Sequence, residues 1–495
     1  MILRSARRTG CSLFLIAITT SAAMASAPDT LWTRAYGGTA WDDGNDLRQT
    51  SDGGFIVAGM TQSFGQGSYD VYLLRTDARG DTLWTRTFGG PGLEDARGVI
   101  ETRDGGFAII GRSASSGAGG SDLYVVRTNA NGEEVWSKTY GGSDEDDGQA
   151  ILELPDGGFW LVGQTASEGN GDDDVYLVRV DSSGETLTTR TYGGPQSEDA
   201  QDARLLADGG LVLGGSTYSY GSGGGDFYLL RTDAAGDTLW TRAIGGSARD
   251  LCIALDVTPD GGFILAGQTQ SYGNGNDDAW LVRTDSDGGV LWSRAYGESQ
   301  SDALSSVHST ADGGAVATGV FTSQDDGLET WLLRTDAAGD TSWTTTVHSG
   351  PTWDIWDIGR GMTIAGNGDY VVTGLTGLYP GFNLSLIRFG AATGIVVHEP
   401  LAWPAPLEVT GAPNPFNPAT SIQFSLEEPS RVLLSIHGAA GHRIRTLLRE
   451  KRSGGDHAVQ WDGTDDYGRE LASGVYLVRL KTDNRVGTTR IILVK

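Results

Sequence analysis

The tripeptide Asp-Gly-Gly begins at Asp52, Asp104, Asp156, Asp208, Asp260 and Asp312, each 52 residues after the last. A degenerate copy, Asn367-Gly368-Asp369, follows. Self-similarity at this period means a repeat architecture, in which one supersecondary unit buries its faces only against its neighbours. Tryptophan keeps the same beat at Trp32, Trp84, Trp136, Trp240 and Trp292, with Trp343 one residue early and Thr188 in the missing place. The unit to be explained is therefore one period.

Each period divides into four β-rich runs separated by turn residues. In the first, strand A is expected near 46–50, B at 55–61, C at 70–76 and D at 81–88. Asp-Gly and x-x-Gly between apolar runs are hairpin signals. Four antiparallel strands per period, seven times over, predict a seven-bladed β-propeller. Glycine recurs inside strand B at Gly59, Gly111, Gly163, Gly215, Gly267, Gly319 and Gly374, marking close backbone approach. The tryptophans suit the wider outer strand D. The chain opens with a lone D-type strand, Asp29–Tyr36, and the seventh period ends after strand C at Arg388. The opening strand is expected to close the ring beside it, with 395–398 competing for that slot.

The two ends read differently. Arg4, Arg7 and Arg8, the apolar run 11–20 and the small residues around Ala25 make a cleavable signal peptide over 1–25, which implies export. No later stretch is apolar enough for a membrane span. Removing the signal leaves one cysteine, Cys252, expected to be a buried apolar residue. The propeller then occupies 26–399, a Pro-rich linker 400–412, and a small β-sandwich 413–495. The fold class is all-β, a seven-bladed β-propeller followed by a small immunoglobulin-like β-sandwich.

The unit Asp70–Trp84, D-x-Y-L-L-R-T-D-x-x-G-D-T-L-W, resembles the short propeller repeats of secreted bacterial proteins. Asp233–Trp240 looks like the tryptophan repeat of pyrroloquinoline-quinone enzymes but is one residue shorter, and the eight blades and adjacent cysteines of those enzymes are missing. The Asp-box of sialidases is missed by one residue in two spacings. At the other end, Pro413-Asn414-Pro415-Phe416-Asn417-Pro418, Trp461-Asp462-Gly463, Ser473-Gly474-Val475-Tyr476 and the terminal Lys495 resemble, as a set, the type A C-terminal domain of type IX secretion. That domain is similar to the immunoglobulin-like domain of the flagellar hook-capping protein. The resemblance implies secretion and surface-attachment machinery as partners of 413–495. It also implies an extracellular or outer-membrane-surface location.

The longer D–A and B–C connections share one face of a propeller, and loops on a rigid scaffold are where function concentrates. A carboxylate recurs in the D–A connections at Asp42, Glu94, Asp146, Glu198, Asp250, Asp302 and Asp354. A second row, Asp70, Asp122, Asp174, Asp226 and Asp278 with Glu329, ends the B–C loops. An arginine ends strand C in every repeat: Arg75, Arg127, Arg179, Arg231, Arg283, Arg334 and Arg388. The favoured reading is structural, with the arginines bridging to the first acid row and stapling the blades, or with its carboxylates capping turn amides. The other reading makes that row a metal site for Ca2+, which takes oxygen ligands from Asp, Asn and backbone.

Residues 26–399 carry 21 Lys+Arg against 53 Asp+Glu, and 400–495 carry 12 against 10. That charge excludes nucleic acid as a partner and favours glycans, cationic proteins or metal ions. HExxH, G-x-S-x-G and phosphate-loop motifs are all missing. A non-catalytic binding or scaffold propeller is therefore the first reading. A glycan-active hydrolase or lyase on the acidic face is the alternative. The later repeats deviate most, where Trp353, Trp356, Tyr379 and Phe382 add exposed aromatics that read first as closure packing and second as candidate ligand-stacking residues.

Overall fold

A computed structural model of the protein describes residues 27–274, 276–323, 327–348, 355–378, 381–391, 409–426, 429–438, 443–482 and 486–495. Every regular element among them is a β-strand. No helix there is long and apolar enough to cross a membrane.

The 52-residue period folds as a four-stranded antiparallel sheet. In the first repeat the strands are Asp42–Gln49 (A), Phe55–Thr61 (B), Asp70–Thr76 (C) and Thr82–Phe88 (D), paired in that order. The next four repeats form sheets of the same order. The sixth and seventh make one eight-stranded sheet, joined by the single parallel pair Leu328–Trp356. The opening strand Thr30–Tyr36 runs antiparallel to Gly381–Phe389, the C strand of the seventh repeat. Residues 395–398 lie outside the described residues.

Strands B and C are nearly continuous apolar runs, such as FIVAGMT and DVYLLRT, because both of their faces are covered by neighbouring sheets. Ile56 and Leu73 of the first repeat share a core with Val99, Ile109 and Val126 of the second. The same packing joins the first and seventh repeats. Leu47, Val57 and Leu74 of the first repeat pack with Val371, Leu384 and Leu386 of the seventh. Cys252 is buried in one such core.

The tryptophan row meets the C–D turn glycines of the next repeat, and the strand B glycine row meets strand A of its own sheet. Trp84 of strand D lies against the C–D turn of the next repeat, where a Cβ on Gly132 would fall 2.6 Å from its ring. Trp32 of the opening strand meets Gly80 in the same way, and the Tyr36 hydroxyl donates to the Gly80 carbonyl at 2.5 Å. The opening strand thus stands to the first repeat as each strand D stands to the next. Where Thr188 replaces the tryptophan, Trp160 from strand B lies 3.3 Å from the Cβ position of Gly236. In strand B a Cβ on Gly59 would fall 1.9 Å from the Asp43 carbonyl, where strand A bulges between Gly44 and Asp46.

Two boundaries differ from the sequence reading. Strand A starts at Asp42, not near residue 46, so the first acid row sits on the first rung of the sheet. Val409–Ala412, inside the stretch read as linker, pairs with Thr420–Leu426. It belongs to the C-terminal sandwich of three- and four-stranded sheets. There Trp461 packs against Phe416 and Tyr476, and Phe416 pairs through its backbone with Ile492 and Val494 on the terminal segment.

Candidate functional site

Strand C begins with the acid of the second row and ends with the recurring arginine. They lie five residue steps apart, roughly 17 Å at about 3.3 Å per residue. The arginines therefore lie at the opposite face from both acid rows. Each reaches the Asp-Gly-Gly turn of its own sheet instead. Arg75 Nη2 donates to both oxygens of Asp52 at 2.6 Å, while its Nη1 donates to the Phe55 carbonyl at 3.2 Å. Arg127–Asp104, Arg179–Asp156, Arg283–Asp260 and Arg334–Asp312 repeat the pair, and Arg388 meets Asp369 at 2.8 Å. The expected arginine bridge to the first acid row is thus corrected, whereas the other expected partner, the turn amides, is the one that row uses.

The first acid row ties the D–A connection to the end of strand B. Asp42 accepts from the Gly38 amide at 2.7 Å, from the Ser63 hydroxyl at 2.7 Å and from the Thr61 hydroxyl. Glu94 accepts from the Gly90 amide at 2.7 Å and the Ser113 hydroxyl at 2.9 Å. Asp146 accepts from the Gly142 amide at 2.7 Å and the Ser167 hydroxyl at 2.8 Å. Glu198 accepts from the Gly194 amide and the Thr217 hydroxyl, both at 2.6 Å. Asp250 takes the Gly246 amide at 2.7 Å and the Ser271 hydroxyl at 2.8 Å. Asp302 takes the Glu298 and Thr322 amides at 2.8 and 2.7 Å. All six are buried.

Asp354 lies outside the described residues. In the seventh repeat the place of Asp42 is held by Asp357, which pairs with Thr376 as Asp42 pairs with Thr61. The Thr376 hydroxyl donates to it at 2.5 Å, and His348 Nδ1 lies 3.2 Å away. Spacing alone missed it because the repeat is three residues out of step by then.

The second row caps the B–C loops. Asp174 accepts from the amides of Asn170 and Gly171 at 2.7 and 3.0 Å. Its other oxygen is turned toward Glu198. The Cβ position on Gly193 lies 1.9 Å from Asp174 Oδ1 and 2.6 Å from Glu198 Oε2. Burial, with Asp146 and Asp250 as like-charged neighbours, pushes the carboxyls of Asp122 and Asp226 above the usual range. Among the described residues no group of three or more His, Cys, Asp and Glu is placed to hold a metal ion.

Of the four aromatics, Trp353 and Tyr379 lie outside the described residues. Trp356 is 42% exposed and stacks on Phe382 at 5.5 Å. Phe382 is corrected from exposed to buried, because it packs between Trp356 and Trp41, the latter at 4.7 Å.

The symmetry of the acidic face breaks elsewhere, between the third and fourth repeats. Strand A of the fourth is only Asp202–Leu205, and Glu198 keeps an isolated bridge to Thr217. A cavity of about 300 Å³ opens there, lined by Gln164, Asp173, Ser197, Glu198, Asp199 and Tyr218. Asp199 follows the first acid row by one residue, as do Asp43, Asp95 and Asp147. Those three meet guanidinium groups: Arg360 at 2.8 Å, Arg97 and Arg112 at 3.2 and 3.1 Å, and Arg112 at 3.5 Å. Asp199 accepts from the Ser216 amide at 2.6 Å and has no cationic partner among the described residues. Burial pushes its carboxyl up to about 6. The sequence held the signal in Gln164, the residue 52 positions after Arg112.

Residues 416–485 match the FlgD Ig-like domain family. The chain is 26% identical over 246 residues to the regulatory protein FlaEY of Caulobacter vibrioides, covering 42% of this chain and 25% of that one. It thus spans a quarter of that relative's length. Among solved structures it is similar to PorZ, a surface component of the type-IX secretion system of Porphyromonas gingivalis. The TM-score is 0.41 at 14% identity, over 93% of this chain and 61% of that one. The β-propeller domain of the Trilobed protease of Pyrococcus furiosus matches with a TM-score of 0.40 at 10% identity, over 72% and 97%. A propeller-type fold, from the repeated four-stranded sheets, followed by an FlgD-like immunoglobulin domain, from the family match over 416–485, is the class of protein defined.

Proposed function

We propose that the chain is an exported, non-catalytic binding propeller of seven blades, with the eight-stranded sheet supplying blades six and seven and the opening strand closing the ring. Its segment 1–25 directs export as a cleaved signal peptide. Its C-terminal domain acts as a type IX sorting domain that engages secretion and surface-attachment machinery, placing the propeller outside the cell or on the outer membrane. The observation that carries the binding reading is the use of the recurring carboxylates. They accept from amides and hydroxyls of the chain itself, Asp146 through one of its two oxygens, which suits a rigid scaffold. The motifs PNPFNP, WDG and SGVY, with the FlgD-like match over 416–485, support the sorting role.

The test is fractionation in the native host of a chain lacking 409–495. The deletion starts at 409 so that no orphan strand of the sandwich remains. The truncated propeller should accumulate in the periplasm. Normal levels at the surface or in the medium would overturn the sorting role. A glycan-active site remains a second reading, supported by the raised carboxyl of Asp199 in a cavity with Asp173. Release of reducing ends from glycans, lost in Asp199→Asn, would favour it.

A further inference from the structure

We propose that the cleft between the third and fourth repeats binds an organic cation, an alkylammonium or guanidinium group of the size carried by a lysine or arginine side chain. The inference deepens the binding reading above and rests on it in taking the ligand from outside the chain.

The molecule supplies its own precedent. Arg112 sits on strand B of the second repeat and spans two carboxylates, Asp95 of its own sheet at 3.1 Å and Asp147 of the next at 3.5 Å. One repeat further on, the same constellation recurs with Asp147 and Asp199, but Gln164 stands where the arginine stood. The guanidinium is gone, the carboxylate remains, and a cavity of about 300 Å³ lies between them. A carboxylate in a partly closed site without a counter-ion favours a cation that can be desolvated with it.

A second departure from the repeat indicates an organic cation over a metal ion. Tyr218 lines the cavity, at the position held elsewhere by Gln62, Ala114, Ala166, Gln270 and Thr322. Tyr218 is 37% exposed, and its ring borders Gly225, whose Cβ position lies 3.0 Å from it. An aromatic wall beside a carboxylate suits ammonium and guanidinium groups through cation–π attraction. It contributes nothing to a Ca2+ shell of six to eight oxygens. The carboxylates Asp173 and Glu198 line the same cavity and add negative potential.

Ligand affinity should follow the ionisation of Asp199. The titratable groups around it are Asp173 on the B–C loop of the third repeat, Glu198 and Tyr218 of the fourth, and the thiol of Cys252 from strand A of the fifth. Protonation of Asp199 removes the charge that the cation needs, so binding should weaken below about pH 6.

The test is calorimetric titration of the full chain with methylguanidinium and propylammonium at pH 7.5 and pH 5. Acetyl-lysine and acetyl-arginine methylamides and glucosamine are run as further probes. Wild type should show one saturable site, weaker at pH 5. Asp199→Asn should lose at least about tenfold in affinity. Gln164→Arg should bind no probe and should melt at or above the wild-type temperature, since its own guanidinium would fill the cleft as Arg112 fills the one before. Tighter binding of the methylamides would mark a polypeptide side chain as the source, and tighter glucosamine an amino sugar; both support the shared chemistry. Absence of a saturable site in the wild type, or equal binding by wild type and Gln164→Arg, would overturn the inference. Either result would leave the export test above untouched.

Discussion

Asp302 and Asp42 hold the same place in two repeats and differ in their donors. Asp42 has the hydroxyls of Thr61 and Ser63, whereas in the sixth repeat Phe321 stands in the place of Thr61. Asp302 accepts from two amides, and burial pushes its carboxyl up to about 6. A carboxyl raised in the folded state favours the protonated fold. Its contribution is full below the unfolded value near 4 and is lost as pH rises through about 6. From pH 4 to pH 7 wild type should therefore lose up to about 3 kcal/mol that Asp302→Asn does not lose, beside a pH-independent cost of about 1–3 kcal/mol for the one amide that the Asn side chain cannot accept from. Urea unfolding at several pH values checks this, and parallel curves would contradict it. On the other face the order of effects reverses. Asp104 is mostly exposed, so Asp104→Asn should cost under about 1 kcal/mol. Arg127→Ala also removes the donor to the buried Phe107 carbonyl, at 3.2 Å, and should cost about 1–3 kcal/mol. Equal losses in the two variants would contradict that account.

At the scale of elements, the contact between strand D and the next C–D turn recurs, and its exception is informative. Trp160 reaches Gly236 where Thr188 cannot. Trp160 is 2% exposed, so Trp160→Ile should cost about 1–3 kcal/mol. Thr188→Trp alone should gain nothing, because the place is taken. In the Trp160→Ile background it should restore most of the loss, and the double-mutant cycle measures that coupling directly. Additive effects would show that the two side chains do not share the site.

For the whole molecule, the four-strand unit and the pairing of Leu31–Tyr36 with the seventh repeat were legible because period, turn residues and apolar runs agree. The start of strand A was not, since Asp42-Asp43-Gly44-Asn45 reads as a turn. Its pairing comes from a bulge and from carboxylates turned onto the preceding connection. The Arg row misled for a different reason. Matching counts of acids and arginines carry no information about which end of a strand each occupies, and counting strand residues from Asp70 to Arg75 would have separated them. The seventh acid slipped from Asp354 to Asp357 because the repeat lengthens just before it. The cleft at Asp199 was visible only as one glutamine in an arginine's place.

On this account the first acid row serves the fold, through amides and hydroxyls, and not a metal ion. The most direct test is the melting temperature of wild type and Asp146→Asn in millimolar Ca2+ and in chelator at matched ionic strength. A ligand that binds only the folded state raises that temperature. Asp146→Asn, whose remaining oxygen can still accept from Gly142 and Ser167, should change stability by under about 1 kcal/mol in chelator, and Ca2+ should move neither protein by more than about 1 °C. A rise of several degrees in wild type, abolished in Asp146→Asn, would contradict the structural role of the row.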